Sequence, residues 1–148
     1  MKKIVIYTDG SCINNPGKGG WATQFLLYKN NKLTYSKLIS GCSKHSTNNI
    51  MELTAVIEAL KQLKPNAKNY TIEIFSDSEY VINGLTKYRD SWEYRNFKGV
   101  KNSELWKKLF DLYDNYKNIT IKHVRAHNGD KYNEIVDKEA KKAAINCK

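Results

Sequence analysis

Apolar and polar positions along this chain switch between two periods. Ile4-Val5-Ile6-Tyr7 is a short apolar run with the length and branching of a buried strand, and it stops on Asp9. A second such run, Ile72 to Phe75, leads to Ser76 and stops on Asp77. Between the two, residues 21–30 (WATQFLLYKN) and 32–41 (KLTYSKLISG) read as strands joined at Asn30-Asn31, a tight hairpin. Residues 10–20 (GSCINNPGKGG) have loop chemistry. Over 47–64 the period becomes helical. Ile50, Leu53, Ile57 and Leu60 make one apolar stripe, Thr47 or Asn48 can cap it, and Pro65-Asn66 ends it. A short helix is predicted from Ser78 to about Tyr88, followed by interleaved aromatic and basic residues (KYRDSWEYRNFKGVKN). A further amphipathic helix runs over 103–116 through Leu105, Leu109 and Leu112, then a strand (ITIKHV, 119–124) and a last helix at about 131–145.

The order β-β-β-α-β-α-α-β-α predicts an α/β fold: a mixed five-stranded sheet flanked by helices, with strands one to three antiparallel and strands four and five parallel. A helix separates the first strand from the fourth. These two are therefore expected to be parallel neighbours with their carboxyl ends side by side.

The length, 148 residues, suits a single domain with a real core. The net charge of +10 is uneven. Residues 1–69 hold ten lysines against three acids, residues 70–118 eight basic against eight acidic groups, and residues 119–148 seven against four. A basic body points to a polyanion, nucleic acid or a membrane surface, although solubility alone can also explain it. Cys12, Cys42 and Cys147 form no CxxC pair, which argues against zinc. Read as free thiols, they fit a reducing cytosol. The apolar run after Met1 is too short for a signal peptide, and no segment is long enough to span a bilayer. A cytoplasmic protein without a membrane partner is the expectation.

Parallel neighbours lie about 5 Å apart. Carboxylates closing two such strands repel by roughly 4 kcal/mol at an effective dielectric of 20. A divalent cation or a retained proton relieves this. The spacing alone also allows the two acids to face opposite sides as turn residues. Glu52, read in the first turn of the 47–64 helix, has Ala55 and Ala59 on its face, small residues that allow close packing on the sheet. Asp137 lies one turn after Asn133 and continues as Ala140 and Ala144. Helix-dipole and solvated-surface roles compete for these two acids. Four carboxylates and no thiolate suit a hard cation such as Mg2+.

The stretches YTDGSCINNPGKGGWA, STNNIMEL, IFSDSEYVINGL, VKNSELWKKL and VRAHNGDKYNEIVDKEA occur in this order over nearly the whole chain. Together they resemble ribonuclease H of type 1, the bacterial-type family. The resemblance implies the ribonuclease H-like fold. It also implies an endonuclease that cuts the RNA strand of RNA–DNA hybrids with two Mg2+ (or Mn2+) ions, leaving 5′-phosphate and 3′-hydroxyl ends. The family's metal-binding acids fall on Asp9, Glu52, Asp77 and Asp137, and its mobile active-site histidine on His127. Asn133 matches a position near the second metal. Thr47 and Asn102 match a pocket for a phosphate of the DNA strand. Cys12, Asn15, Asn48, Asn49 and Ser78 match positions around the minor groove. Tyr88 and Trp92, with Arg89, Arg95, Lys98 and Lys101, resemble a basic protrusion (about 86–102) that holds the DNA strand. His45 replaces a frequent Arg, Glu79 a frequent Gln, Ala126 a frequent Gly, and Asp130 a frequent second His. The expectation is one ribonuclease H domain acting as a monomer, without a hybrid-binding or polymerase domain. A non-cutting hybrid-binding module is the rival reading, but it would be marked by the loss of an acid. A nuclease acting on DNA alone does not account for the Asn-rich and aromatic-basic residues.

Overall fold

A computed structural model describes residues 1–125 and 130–148. The elements are β1 (Lys2–Cys12), β2 (Gly17–Lys29), β3 (Lys32–Ser46), α1 (Asn48–Gln62), β4 (Thr71–Ser76), α2 (Glu79–Asn83), α3 (Arg89–Tyr94), α4 (Ser103–Tyr113), β5 (Ile119–His123) and α5 (Lys131–Ile145). The five strands form one sheet in the order β3-β2-β1-β4-β5. β1 pairs antiparallel with β2, and β2 with β3, as the hairpin pattern predicts. β4 lies parallel to β1, with Thr8 opposite Ser76, and β5 lies parallel to β4.

Strand alternation assigns the two faces. Ile4, Ile6, Ile72 and Ile74 turn to one side and meet Leu53, Val56, Ile57 and Leu60 of α1 and Trp106, Leu109 and Phe110 of α4 in the main core. On the other side α5 crosses the sheet, burying Val136 and Ala140 against Ala22. Gly20 lets it lie close, because a Cβ there would sit 2.2 Å from the Ala140 carbonyl oxygen. Thr47 caps α1: its Oγ1 accepts from the Ile50 N–H at 3.2 Å.

Three expectations change. Residues 10–20 are mostly strand, because β1–β2 pairing continues to Cys12 opposite Gly19 and leaves only a short turn. The glycines that read as loop instead admit Met51 and α5, which would collide with side chains at Gly19 and Gly20. The stretch after Ser78 continues beyond Tyr88: α2 widens into a π-turn over Gly84–Tyr88 and resumes as α3 to Tyr94. Gly84 sits where any side chain would meet the Trp106 ring. The thiols are not all free. Cys42 on β3 and Cys147 after α5 form a disulfide with Cα atoms 5.8 Å apart, leaving Cys12 unpaired. These residues are 105 positions apart and meet only because α5 returns across the sheet to β3. The cysteine count therefore carries no argument for a reducing compartment. Among the described residues no helix is long and apolar enough to cross a membrane.

Candidate active site

The last parallel pair, Thr8 with Ser76, sets Asp9 beside Asp77 on the same face of the sheet: Asp77 follows the end of β4, whereas Asp9, expected to end its strand, lies within β1, which stays paired with β2 as far as Cys12. Gly10 brings in the third acid. A Cβ on Gly10 would stand 2.4 Å from the Glu52 backbone nitrogen, so α1 rests directly on β1 there. Glu52 lies in the second turn of α1, whose first turn holds no acid, so the helix-dipole explanation does not apply to it. Oxygens of Asp9, Glu52 and Asp77 all lie within 4.8 Å of one another.

The surroundings are hostile to this much charge. Asp9 is 3% exposed, and its Oδ1 accepts from the Gly10 N–H at 3.0 Å. Burial first, then the neighbouring Asp77 and Asp137, pushes its carboxyl up to about 8. Burial also raises Glu52 well above the usual carboxylate range, with Asp9 and Asp77 adding to it. Glu52 Oε1 is buried without a hydrogen-bond partner among the described residues. An orphaned buried oxygen, an all-oxygen donor set and carboxyls pushed up by burial and by one another together fit a hard divalent ion.

Asp137 stands outside the tight trio. It is near enough to raise Asp9, yet its Oδ2 accepts from Lys141 Nζ at 3.2 Å. One turn earlier, Asn133 is buried, and its Oδ1 has no partner among the described residues. Asp130, noted in the sequence only as a replaced histidine, caps α5. Its Oδ1 accepts from the N–H groups of Tyr132 (3.1 Å) and Asn133 (3.3 Å). The Tyr7 hydroxyl donates to its Oδ2 at 3.3 Å, tying α5 to β1 two residues before Asp9. Burial, then Asp130, pushes the Tyr7 phenol up to about 12. An Asp immediately before a helix was the available signal for this cap. His127 and Ala126 lie outside the described residues.

A polar cavity of about 360 Å³ opens beside α1, lined by Asn15, Pro16, Thr47, Asn48, Asn49, Lys101 and Asn102. It unites five of the residues proposed for substrate. Asn15 Oδ1 accepts from the Asn48 N–H at 3.0 Å, which pins the β1–β2 turn to α1. His45, exposed on β3, is not in the lining. Two other candidates have inward duties. Cys12 Sγ donates to the carbonyls of Ser46 and Gly17 (3.3 and 3.4 Å), and the buried Ser78 Oγ caps α2 by accepting from the Val81 N–H. Glu79 is exposed at the start of α2.

In the aromatic-basic segment, Tyr88 is half exposed and stacks on Trp92 at 5.8 Å. Trp92 packs in turn on the buried Trp106 at 5.0 Å. Arg89 is not free to meet a polyanion. It donates to Asp114 and Glu93 and lies 4.4 Å from the Phe110 ring centroid.

The ribonuclease H family model matches residues 1–145. Ribonuclease H of Wolbachia pipientis wMel is 45% identical over 151 residues, covering 99% of this chain and 98% of that one. The crystal structure of LC9-RNase H1, described as a type 1 RNase H with the type 2 active-site motif, superposes with a TM-score of 0.87 at 24% identity, over 97% of this chain and 72% of that one. LC11-RNase H1 in complex with an RNA/DNA hybrid superposes with a TM-score of 0.69 at 21% identity, over 96% of both chains. Similarity along essentially the full length, at both sequence and fold level, agrees with the motifs that surround the carboxylates, and the chain belongs to the ribonuclease H family.

Proposed function

We propose that this protein is a metal-dependent endoribonuclease that hydrolyses the RNA strand of RNA–DNA hybrids, leaving 5′-phosphate and 3′-hydroxyl ends. The observation that carries this is the carboxylate trio at the sheet end, within 4.8 Å of one another and with Glu52 Oε1 buried and unpartnered. The hybrid bound to the LC11 relative supports the substrate. Asp9, Glu52, Asp77 and Asp137 would hold two Mg2+ ions, with Mn2+ able to substitute. Bound there, such ions supply an activated water and stabilise the charge on the leaving oxygen.

The residues' own task is to stay fixed and to give up protons. A paired strand and a helix seated on Gly10 hold the oxygens more rigidly than a loop could. Asp9 and Glu52 must be ionised to act as ligands, so cation affinity should rise with pH toward about 8. His127 is proposed to shuttle a proton or assist product release. Asn15, Asn48 and Asn49 are proposed to read the minor groove, where a 2′-hydroxyl marks the RNA strand. Thr47 and Asn102 take a DNA-strand phosphate, and Tyr88 and Trp92 support that strand. Cys12 and Ser78 shape the groove from beneath, and Asn133 serves the metal side. A single domain acting as a cytoplasmic monomer is part of the same proposal.

The test uses labelled hybrid, single-stranded RNA, double-stranded RNA and duplex DNA, each with Mg2+ or EDTA. RNA cut only in the hybrid, and only with metal, is the expected result. Cleavage that survives EDTA, or tight binding of hybrid without products, would sink the proposal.

A further inference from the structure

Asn102 occupies the position before α4 where an Asn ordinarily caps the helix with its side chain, yet it makes no side-chain cap. Its backbone is left-handed (φ 60°), a conformation Asn tolerates better than most residues. Its Nδ2 instead donates to the Tyr80 hydroxyl at 3.0 Å. The same hydroxyl accepts from Trp106 Nε1, also at 3.0 Å. Trp106 is fully buried, and its indole nitrogen can only donate, so it needs this acceptor. One phenol oxygen thus receives two donors, one from Trp106 in α4 and one from the residue just before that helix, and the Asn102 amide keeps a second N–H for another acceptor.

Asn102 lines the polar cavity with Thr47 and Lys101. The Tyr80 ring, in α2, lies 5.2 Å from Trp106, which continues to Trp92 (5.0 Å) and Tyr88 (5.8 Å). Tyr80 therefore joins two patches that neither shares directly: the polar cavity and the exposed aromatic surface. It is also only three residues after Asp77, at the end of β4.

We propose that Tyr80 is a positioning residue, whose hydroxyl holds the Asn102 amide in place for a phosphodiester oxygen of the DNA strand and whose ring fixes that pocket relative to the Tyr88–Trp92 stack. This rests on the hybrid-nuclease proposal and adds a residue to it. Tyr80 does not touch substrate. It removes the freedom that Asn102 would otherwise lose on binding.

The test compares wild type with Tyr80→Phe in Mg2+, on hybrids carrying one methylphosphonate at successive positions of the DNA strand. One methylphosphonate should weaken wild type sharply. Tyr80→Phe should raise KM on unmodified hybrid by roughly three- to tenfold, the worth of one hydrogen bond, with kcat within about twofold. It should also lose most of the penalty at that one phosphate. An unchanged KM, or a raised KM with the methylphosphonate penalty intact, overturns the proposal. A second measurement does not depend on the variant folding. In wild type, the side-chain amide order parameter of Asn102 should exceed those of Asn48 and Asn49, and equality among the three overturns the proposal. A wild type that leaves hybrid uncut fails the nuclease proposal and this one together. A cutting wild type beside an unchanged Tyr80→Phe fails this one alone.

Discussion

In metal-free protein, Asp9→Asn should stabilise the fold, by an amount that depends on pH in a fixed direction. The Asp9 carboxyl is raised from 3.8 to about 8, by burial first and then by Asp77 and Asp137. The native state therefore binds a proton that the unfolded state releases between those two values. The stability tied to this group is fully present below about pH 4 and is lost as pH rises to about 8. A rise of about four at roughly 1.4 kcal/mol each sets a ceiling near 6 kcal/mol. Asn has no proton to lose, so its own burial cost is the same at every pH. The gap between variant and wild type should widen by up to about 4 kcal/mol between pH 4.5 and pH 8. Even half of that is about 6 °C in Tm at this chain length. Calorimetry in EDTA at pH 4.5, 6, 7 and 8 measures it, and the wild type's general acid sensitivity cancels in the difference. Adding 5 mM Mg2+ at pH 8 should then stabilise wild type and scarcely move Asp9→Asn, because a ligand that binds only the native state raises its stability. A gap that stays flat across the pH series, or narrows as pH rises, refutes the crowding of these carboxylates. A variant that gains as much from Mg2+ as wild type refutes the assignment of Asp9 as a ligand.

Cys147→Ser, or reduction with dithiothreitol, should lower stability by up to about 5 kcal/mol, the chain-entropy value for a loop closed over 105 residues; unchanged denaturant midpoints with and without reductant contradict the pairing. Asp130→Ala removes the α5 cap and the Tyr7 link, so a loss of about 1–2 kcal/mol is expected in urea unfolding. Hybrid affinity should fall steeply with salt, because the net charge of +10 binds largely through counterion release, and a flat salt titration would contradict the basic-body reasoning.

The sheet was legible because its signals are local. The strands around Ile6 and Ile74 are apolar runs, and the order of elements left few ways to join them, although the first runs past the stop expected at Asp9 to Cys12. Asp9 and Asp77 were legible as neighbours for the same reason: parallel pairing follows from an intervening helix. What the sequence hid depends on distant contact. Gly19 and Gly20 have the composition of a loop, yet they are paired strand residues whose missing side chains make room for Met51 and α5. Cys42 and Cys147 carry no spacing signal, since their meeting is a consequence of where α5 ends. Arg89 looked like a phosphate contact because Asp114, which neutralises it, lies 25 residues away on the turn after α4. Asp130 stands where the family pattern has a frequent histidine, but its place immediately before a visible helix start is the signal for its capping role.

The carboxylate cluster works against the fold that carries it. Ionised, the three acids repel one another, and desolvation adds to that cost. Their closeness persists because each is held by something with no stake in the charge. Asp9 lies within β1 and Asp77 just past β4, strands whose residues Ile6, Ile72 and Ile74 are fully buried. Glu52 rides on a helix whose stripe lies in the main core and whose backbone fits only against Gly10. Asp137 is placed by α5, which is fixed at its start by Asp130 and Tyr7 and just past its end by the disulfide. Core packing of this kind supplies stability at neutral pH that the acids then draw down and that a bound cation would restore. Gly10→Ala should expose this dependence most sharply. It adds one methyl and no charge, yet it must move α1 away from β1, so it should weaken Mg2+ binding and hybrid cleavage together while bringing the Glu52 carboxyl back toward its ordinary range, since it would stand farther from Asp9 and Asp77.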